Sequence, residues 1–168
     1  VDPFCGSGST LIASKQKNIK SIGIDINPVS AFMAKVKTEN YTKKEISETE
    51  NFSLSNISKY KEEVYENYEL RIIKNLFSLR NLSQIEEAKI QINTVKSERV
   101  KNLLRASLIS VLEDVSNYKK AGNGLKKKRD EPKTEFGELF REKKKQICID
   151  IKESKTRTKT KVYLGSCE

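Results

Sequence analysis

The chain is 168 residues long, room for about one domain, and at 36% hydrophobic and 33% charged residues with no Trp it can bury only a modest core. It contains no His, which excludes Ser-His-Asp and Cys-His catalysis and every metal site built on imidazole, so no metal is expected. Lys and Arg exceed Asp and Glu by 33 to 23, a formal charge of +10, and the excess falls late: Lys126 to Arg129, Lys143 to Lys145, and Lys152 to Lys161.

Such clusters suit a polyanion, most simply nucleic acid, through counterion release; a solvated basic face is the alternative reading. The longest apolar stretches fall far short of the ~20 residues of a membrane span, so no membrane is expected as a partner. No targeting segment is visible. The three cysteines, Cys5, Cys148 and Cys167, have no regular spacing and fit reduced thiols in a cytoplasmic protein better than a disulfide framework.

In chain order, residues 1–40 read as alternating α/β. Val1-Asp2 ends a strand, a Gly-Ser-Gly turn follows at Gly6 to Gly8, and a short helix runs from Thr10 to Lys17. Ser21 to Asp25 is an apolar strand ending on an acid, and Pro28 opens a helix reaching about Thr38. Residues 41–120 form a helical block. From about Ser55 to Lys119, apolar residues recur at helical spacing in two stripes: Tyr65, Tyr68, Ile72, Ile73, Leu76 and Leu79, then Val100, Leu103, Leu104, Leu108, Val111, Leu112 and Val115. Ala121-Gly122-Asn123-Gly124 breaks the helix, and residues 121–134 read as a basic loop containing Pro132. Residues 135–168 return through a helix from about Glu135 to Ile151 and a short strand from Lys161 to Gly165.

A strand ending in an acid that turns through glycines into a helix is a device for nucleotide cofactors. The glycines admit the ligand to the backbone, and the helix start offers N–H groups. The turn lacks the Lys of a phosphate-binding loop, and Leu11 stands where a dinucleotide fingerprint needs its third glycine. Asp25, at the end of the next strand, is placed to accept hydrogen bonds from ribose hydroxyls, with Ile26 beside it to pack on an adenine. Alternatively, Asp25 caps the helix that begins near Pro28.

Asp2-Pro3-Phe4-Cys5-Gly6-Ser7-Gly8-Ser9-Thr10, followed by Gly23-Ile24-Asp25-Ile26-Asn27-Pro28, resembles the S-adenosyl-L-methionine-binding half of the DNA amino-methyltransferases, which modify cytosine N4 or adenine N6. Ser9 stands where the family often has Thr. The resemblance implies that Asp2, Phe4, Gly6 and Gly8 line the methionine and ribose side, with Pro3, Cys5 and Ser7 in the same motif. Asp25 and Ile26 would hold the adenosine, with Asn27 beside them. Val162-Tyr163-Leu164-Gly165-Ser166-Cys167 resembles the third cofactor-contacting strand end, Ser166 replacing an Asp common there. The implied fold is α/β: a partial Rossmann-like methyltransferase sheet with a long helical insertion between the second and third strands. The implied partners are double-stranded DNA and a cognate restriction endonuclease, with Lys126, Lys127, Lys128 and Arg129 as candidates for DNA phosphates.

The family's amino-activating loop, (D/N/S)-P-P-(Y/F/W), has no counterpart, because Pro3, Pro28 and Pro132 are all isolated. The expectation is an internal fragment of a larger enzyme, with that loop beyond Glu168, no catalytic residue of its own and no activity in isolation. A nucleophilic Cys would need its own Pro-Cys loop, so Cys5 belongs to the cofactor turn, and Cys167 reads as a small buried residue. The rival readings are a tRNA guanine-N2 methyltransferase, whose first motif is similar, and a non-catalytic remnant that binds cofactor or nucleic acid.

Overall fold

A computed structural model describes residues 1–55, 66, 68, 71–129, 135–154, 156 and 158–166. The chain divides into two units, Val1–Ile46 with Cys148–Glu168, and Ser47–Ile147. The described residues form a mixed α/β structure with two small sheets.

The first unit contains α1 (Ser9–Gln16), β1 (Ser21–Asp25), α2 (Pro28–Thr38) and, near the other end of the chain, β4 (Thr160–Leu164). β1 and β4 are parallel, in register from Ser21 opposite Thr160 to Asp25 opposite Leu164. Asp2 forms a parallel bridge to Gly23, donating its N–H to Ile22 O at 2.8 Å and accepting from Ile24 N at 2.9 Å. Val1-Asp2, β1 and β4 therefore all run the same way, and their C-terminal ends fall together.

The packing explains the small residues here. Cys5, Leu11 and Ala34 are buried together, with Val162 against them. A Cβ on Gly8 would lie 3.0 Å from the Cα and Cβ of Ala34, so α1 starts hard against α2. Asn27 caps α2, its side chain accepting from Val29 N and Ser30 N, and Pro28 occupies the first turn, where a missing N–H costs nothing. Several apolar side chains remain in solvent, among them Ile22, Tyr163 and Leu164.

The second unit is built on α5 (Leu79–Asn93) and α6 (Glu98–Val115), which Ser78 and Ser97 cap through Asn81 N and Val100 N. Its core joins Ile85, Ala88 and Ile92 of α5 to Val100, Leu104, Leu108, Val111 and Val115 of α6, with Phe136 and Phe140 of α7 (Phe136–Glu153). The second apolar stripe of the sequence is thus a buried helix face. α3 (Lys43–Asn51) and α4 (Arg71–Leu76) complete the helices described.

The first stripe runs over more than one element: Tyr68 is not helical, α4 ends at Leu76, and the chain restarts at Leu79 after the Ser78 cap, while Tyr65 lies outside the described residues. One expectation is corrected. Residues 118–127 are not helix end and loop but a hairpin, β2 (Tyr118–Ala121) antiparallel to β3 (Gly124–Lys127). Gly122 turns it at a φ of 57°, supplying the positive φ that tight hairpin turns need. Pro132 and Cys167 lie outside the described residues.

Candidate functional site

At the C-terminal ends of the three parallel segments, the Gly-Ser-Gly turn folds over Asp25. Cys5 N donates to Ile24 O and Gly8 N to Cys5 O, both at 2.9 Å, closing the turn against β1. Gly6 and Gly8 take φ values of 51° and 92°, a region that a side chain disfavours. Gly6 N then donates to Asp25 Oδ2 at 2.8 Å, while Asn27 N donates to Asp25 Oδ1 at 2.8 Å. The carboxylate therefore fastens the turn to the strand end, with one bond on each oxygen and lone pairs left over. Asn27, not Asp25, caps α2.

Asp2 Oδ1 accepts from Phe4 N at 3.1 Å, which holds the second carboxylate at the start of the same turn. Pro3, Phe4, Ser7 and Ile26 are exposed, Phe4 and Ile26 at 79% and 76%. Gly165 N donates to Asp25 O at 3.1 Å, which brings the exposed Ser166 to these strand ends. α1 begins at Gly8 with no side-chain cap.

Cys5 and Gly8 point inward instead. Cys5 is 6% exposed, and its Sγ would lie 2.9 Å from a Cβ on Gly23. Burial, then the nearby Asp25 and Asp2 carboxylates, push the Cys5 thiol above its ordinary range, so it is a packed neutral group rather than a nucleophile.

The basic residues separate into two kinds. Lys126, Lys127 and Arg129 are exposed, with Lys126 and Lys127 on β3. Lys128 is turned back onto the end of α6, its Nζ donating to Glu113 O at 2.6 Å and Asp114 O at 3.1 Å. Lys144, within the second basic run, is buried and donates to Glu50 O at 2.8 Å and to Phe52 O. Lys15 is buried likewise, donating to Thr38 O at 2.7 Å and Glu39 O at 3.1 Å at the end of α2. All three are cations on the carbonyl ends of helices, where the dipole favours them. Sequence reasoning missed these roles, because a capping lysine looks like any other until its tertiary neighbours are known. Among the described residues no group of His, Cys, Asp and Glu side chains could hold a metal ion, and no helix is long and apolar enough to cross a membrane.

Comparison with known proteins bears on the same turn. Residues 1–36, the segment that builds it, match a family described as DNA methylase. Two curated relatives match the chain as well. One relative is the Type II methyltransferase M.BsoBI of Geobacillus stearothermophilus, 29% identical over 75% of this chain and 25% of that protein. Another is the Type II methyltransferase M.MjaII of Methanocaldococcus jannaschii, 40% identical over 37% of this chain and 11% of that protein. The chain thus matches a quarter or less of the length of these relatives. No solved structure matches it.

Proposed function

We propose that the glycine turn and Asp25 bind S-adenosyl-L-methionine, and that the chain is the cofactor-binding part of an enzyme methylating an exocyclic amino group of cytosine or adenine in double-stranded DNA. The observation that carries this is the Gly6 N to Asp25 Oδ2 bond, which joins the two motifs into one site inside the segment matched to DNA methylases. On this reading Val1-Asp2, β1 and β4 are three neighbouring strands of a Rossmann-like sheet, and the second unit is the insertion between the last two.

The residues present fit the cofactor. A Cβ on Gly6 would meet nothing within 4 Å, so the turn is open where a ligand would lie. Two carboxylates, Asp2 and Asp25, sit at one turn, which suits a ligand carrying a sulfonium and an ammonium group. Asp25 keeps lone pairs for ribose hydroxyls, and exposed Ile26 and Phe4 offer apolar surface to the adenine and to the methionine side. Ser166 lies at the adenine end, and Pro3, Ser7 and Asn27 shape the turn. When bound, the cofactor supplies an activated methyl group. The chain's own residues bind and orient it, and none of them is assigned the amino-activating role, because no two prolines are adjacent. The Type II naming of both relatives supports pairing with a restriction endonuclease.

The test is equilibrium binding of S-adenosyl-L-methionine by calorimetry. Asp25→Ala is expected to weaken binding at least tenfold, since it removes charge-assisted acceptors worth about 1.5–3 kcal/mol. Unchanged affinity in a folded Asp25→Ala protein would remove the ribose role and with it this placement of the cofactor.

A further inference from the structure

The hairpin β2–β3 carries a charge arrangement that folding alone does not explain. Residues 118–129 contain six Lys or Arg and no Asp or Glu. Among the described residues, Lys119, Lys120, Lys126, Lys127 and Arg129 take part in no ion pair. Lys119 and Lys126 stand directly opposite each other across the two strands. Like charges in that position destabilise a sheet, and nothing on the hairpin offsets them.

Alternation along the strands says which face is available. Tyr118, Lys120 and Leu125 share one face and line a cleft of about 800 Å³ with Phe77 and Leu112. Lys119 and Lys126 therefore project from the opposite face, and both are exposed. The hairpin is also held firmly at its base. Asn117 N and Ser116 Oγ donate to Leu76 O at 2.7 and 3.0 Å, and Lys128 N donates to Asn117 O at 2.8 Å. Lys128 grips the last carbonyls of α6. One lysine of the run is spent on anchoring, and the remainder are presented on a short ribbon fixed to the helical unit.

We propose that the outward face of this hairpin, Lys119 and Lys126 with the exposed Arg129 just beyond β3, is a docking surface for the phosphate backbone of duplex DNA. A pair of phosphates would relieve the repulsion between Lys119 and Lys126 and release condensed counterions. Contacts of this kind position a duplex without reading its sequence. Lys128 takes no part. The choice of DNA over other polyanions rests on the methyltransferase reading; the surface itself rests on the charge arrangement.

The experiment is fluorescence anisotropy of the full chain with a short random-sequence DNA duplex, titrated between about 50 and 200 mM salt. The test variant is Lys119→Gln with Lys126→Gln. The control is Lys89→Gln with Lys101→Gln, which removes the same charge from lysines ion-paired to Glu86 and Glu98. Losing two phosphate contacts is expected to flatten the slope of log affinity against log salt by about 1.8 units, with the control close to wild type. Circular dichroism of both variants shows whether each is folded, and Lys126→Arg, which keeps the charge, is expected to retain the slope. An equal loss in test and control would show diffuse attraction to a basic protein and overturn the proposal. So would wild-type binding by the test variant, or tighter binding to a folded RNA than to the duplex. S-adenosyl-L-methionine binding in the same preparations judges the methyltransferase reading separately, because the hairpin carries none of the cofactor residues.

Discussion

Leu11 lies directly over Gly23: a Cβ built on that glycine would fall 2.6 Å from Leu11 Cδ1 and 2.9 Å from the Cβ and Sγ of Cys5. A glycine within a strand gives up packing and entropy, so it marks a place where something else approaches closely. Here α1 and the glycine turn pack closely on β1. Gly23→Ala is expected to destabilise the chain by about 1–3 kcal/mol through overpacking. The urea midpoint measures it, and a double-mutant cycle with Leu11→Ala tests the cause. The double variant should be less destabilised than the two single changes summed; strict additivity would show that Leu11 is not what the new methyl meets.

The turn and its strand were legible in the sequence because their constraints are local. Gly6 and Gly8 meet backbone requirements within a few residues, Pro28 starts a helix, and Asp25 ends a strand one motif away. The α6 stripe was legible too, since a period of 3.6 needs no partner to be seen. The hairpin was misread although Gly122-Asn123 between two four-residue runs is itself a hairpin signal. The same glycines also end a helix, and lysine, which fills both runs, is a poor strand former. The capping roles of Lys15, Lys128 and Lys144 were not legible at all. Each depends on a carbonyl brought near by folding, 23 or more residues away for Lys15 and farther still for Lys144.

Lys15 is the clearest of these. Its ammonium is buried against the carbonyls of Thr38 and Glu39, and burial lowers its pKa against the opposing pull of Glu39. Lys15→Met keeps the stem and deletes the donors, leaving the end of α2 without its cap. A loss of about 1–3 kcal/mol is expected, the cost of hydrogen bonds to a charged group. Chemical denaturation reads it directly; an unchanged midpoint would mean that the buried methylenes alone carry the contribution of Lys15.

Cys5 sits inside a motif assigned to the cofactor, yet its thiol is packed under the turn and held protonated by burial and by two carboxylates. Alkylation by iodoacetamide near neutral pH, read by peptide mass spectrometry, should therefore spare Cys5 in the folded chain and label it after unfolding. Cys148, fully buried, should behave alike. Fast native labelling of Cys5 would contradict the inward placement and reopen the thiol to a role at the site. Cys5→Ala, which leaves the backbone of the turn intact, should preserve cofactor binding while costing stability through the small cavity it creates.

The Tyr68 hydroxyl donates to the carboxylate of Glu86, which Lys89 also grips at 2.7 Å. Burial, then the hydrogen bond to Glu86 and the charge of that carboxylate, push the phenol up to about 12 from its ordinary 10.0. The folded pKa lies above the unfolded one, so the folded state holds its proton longer. The resulting stabilisation is fully present below pH 10 and is lost as pH rises from 10 to about 12. Phenolate absorbance should show one tyrosine of the folded chain titrating well after an exposed tyrosine would. Glu86→Gln keeps a side-chain acceptor but removes the charge, and should bring that titration down toward the ordinary value without abolishing the burial contribution. If the late titration survives in Glu86→Gln at its original pH, burial and the hydrogen bond set it, and the charge of the carboxylate contributes nothing to it.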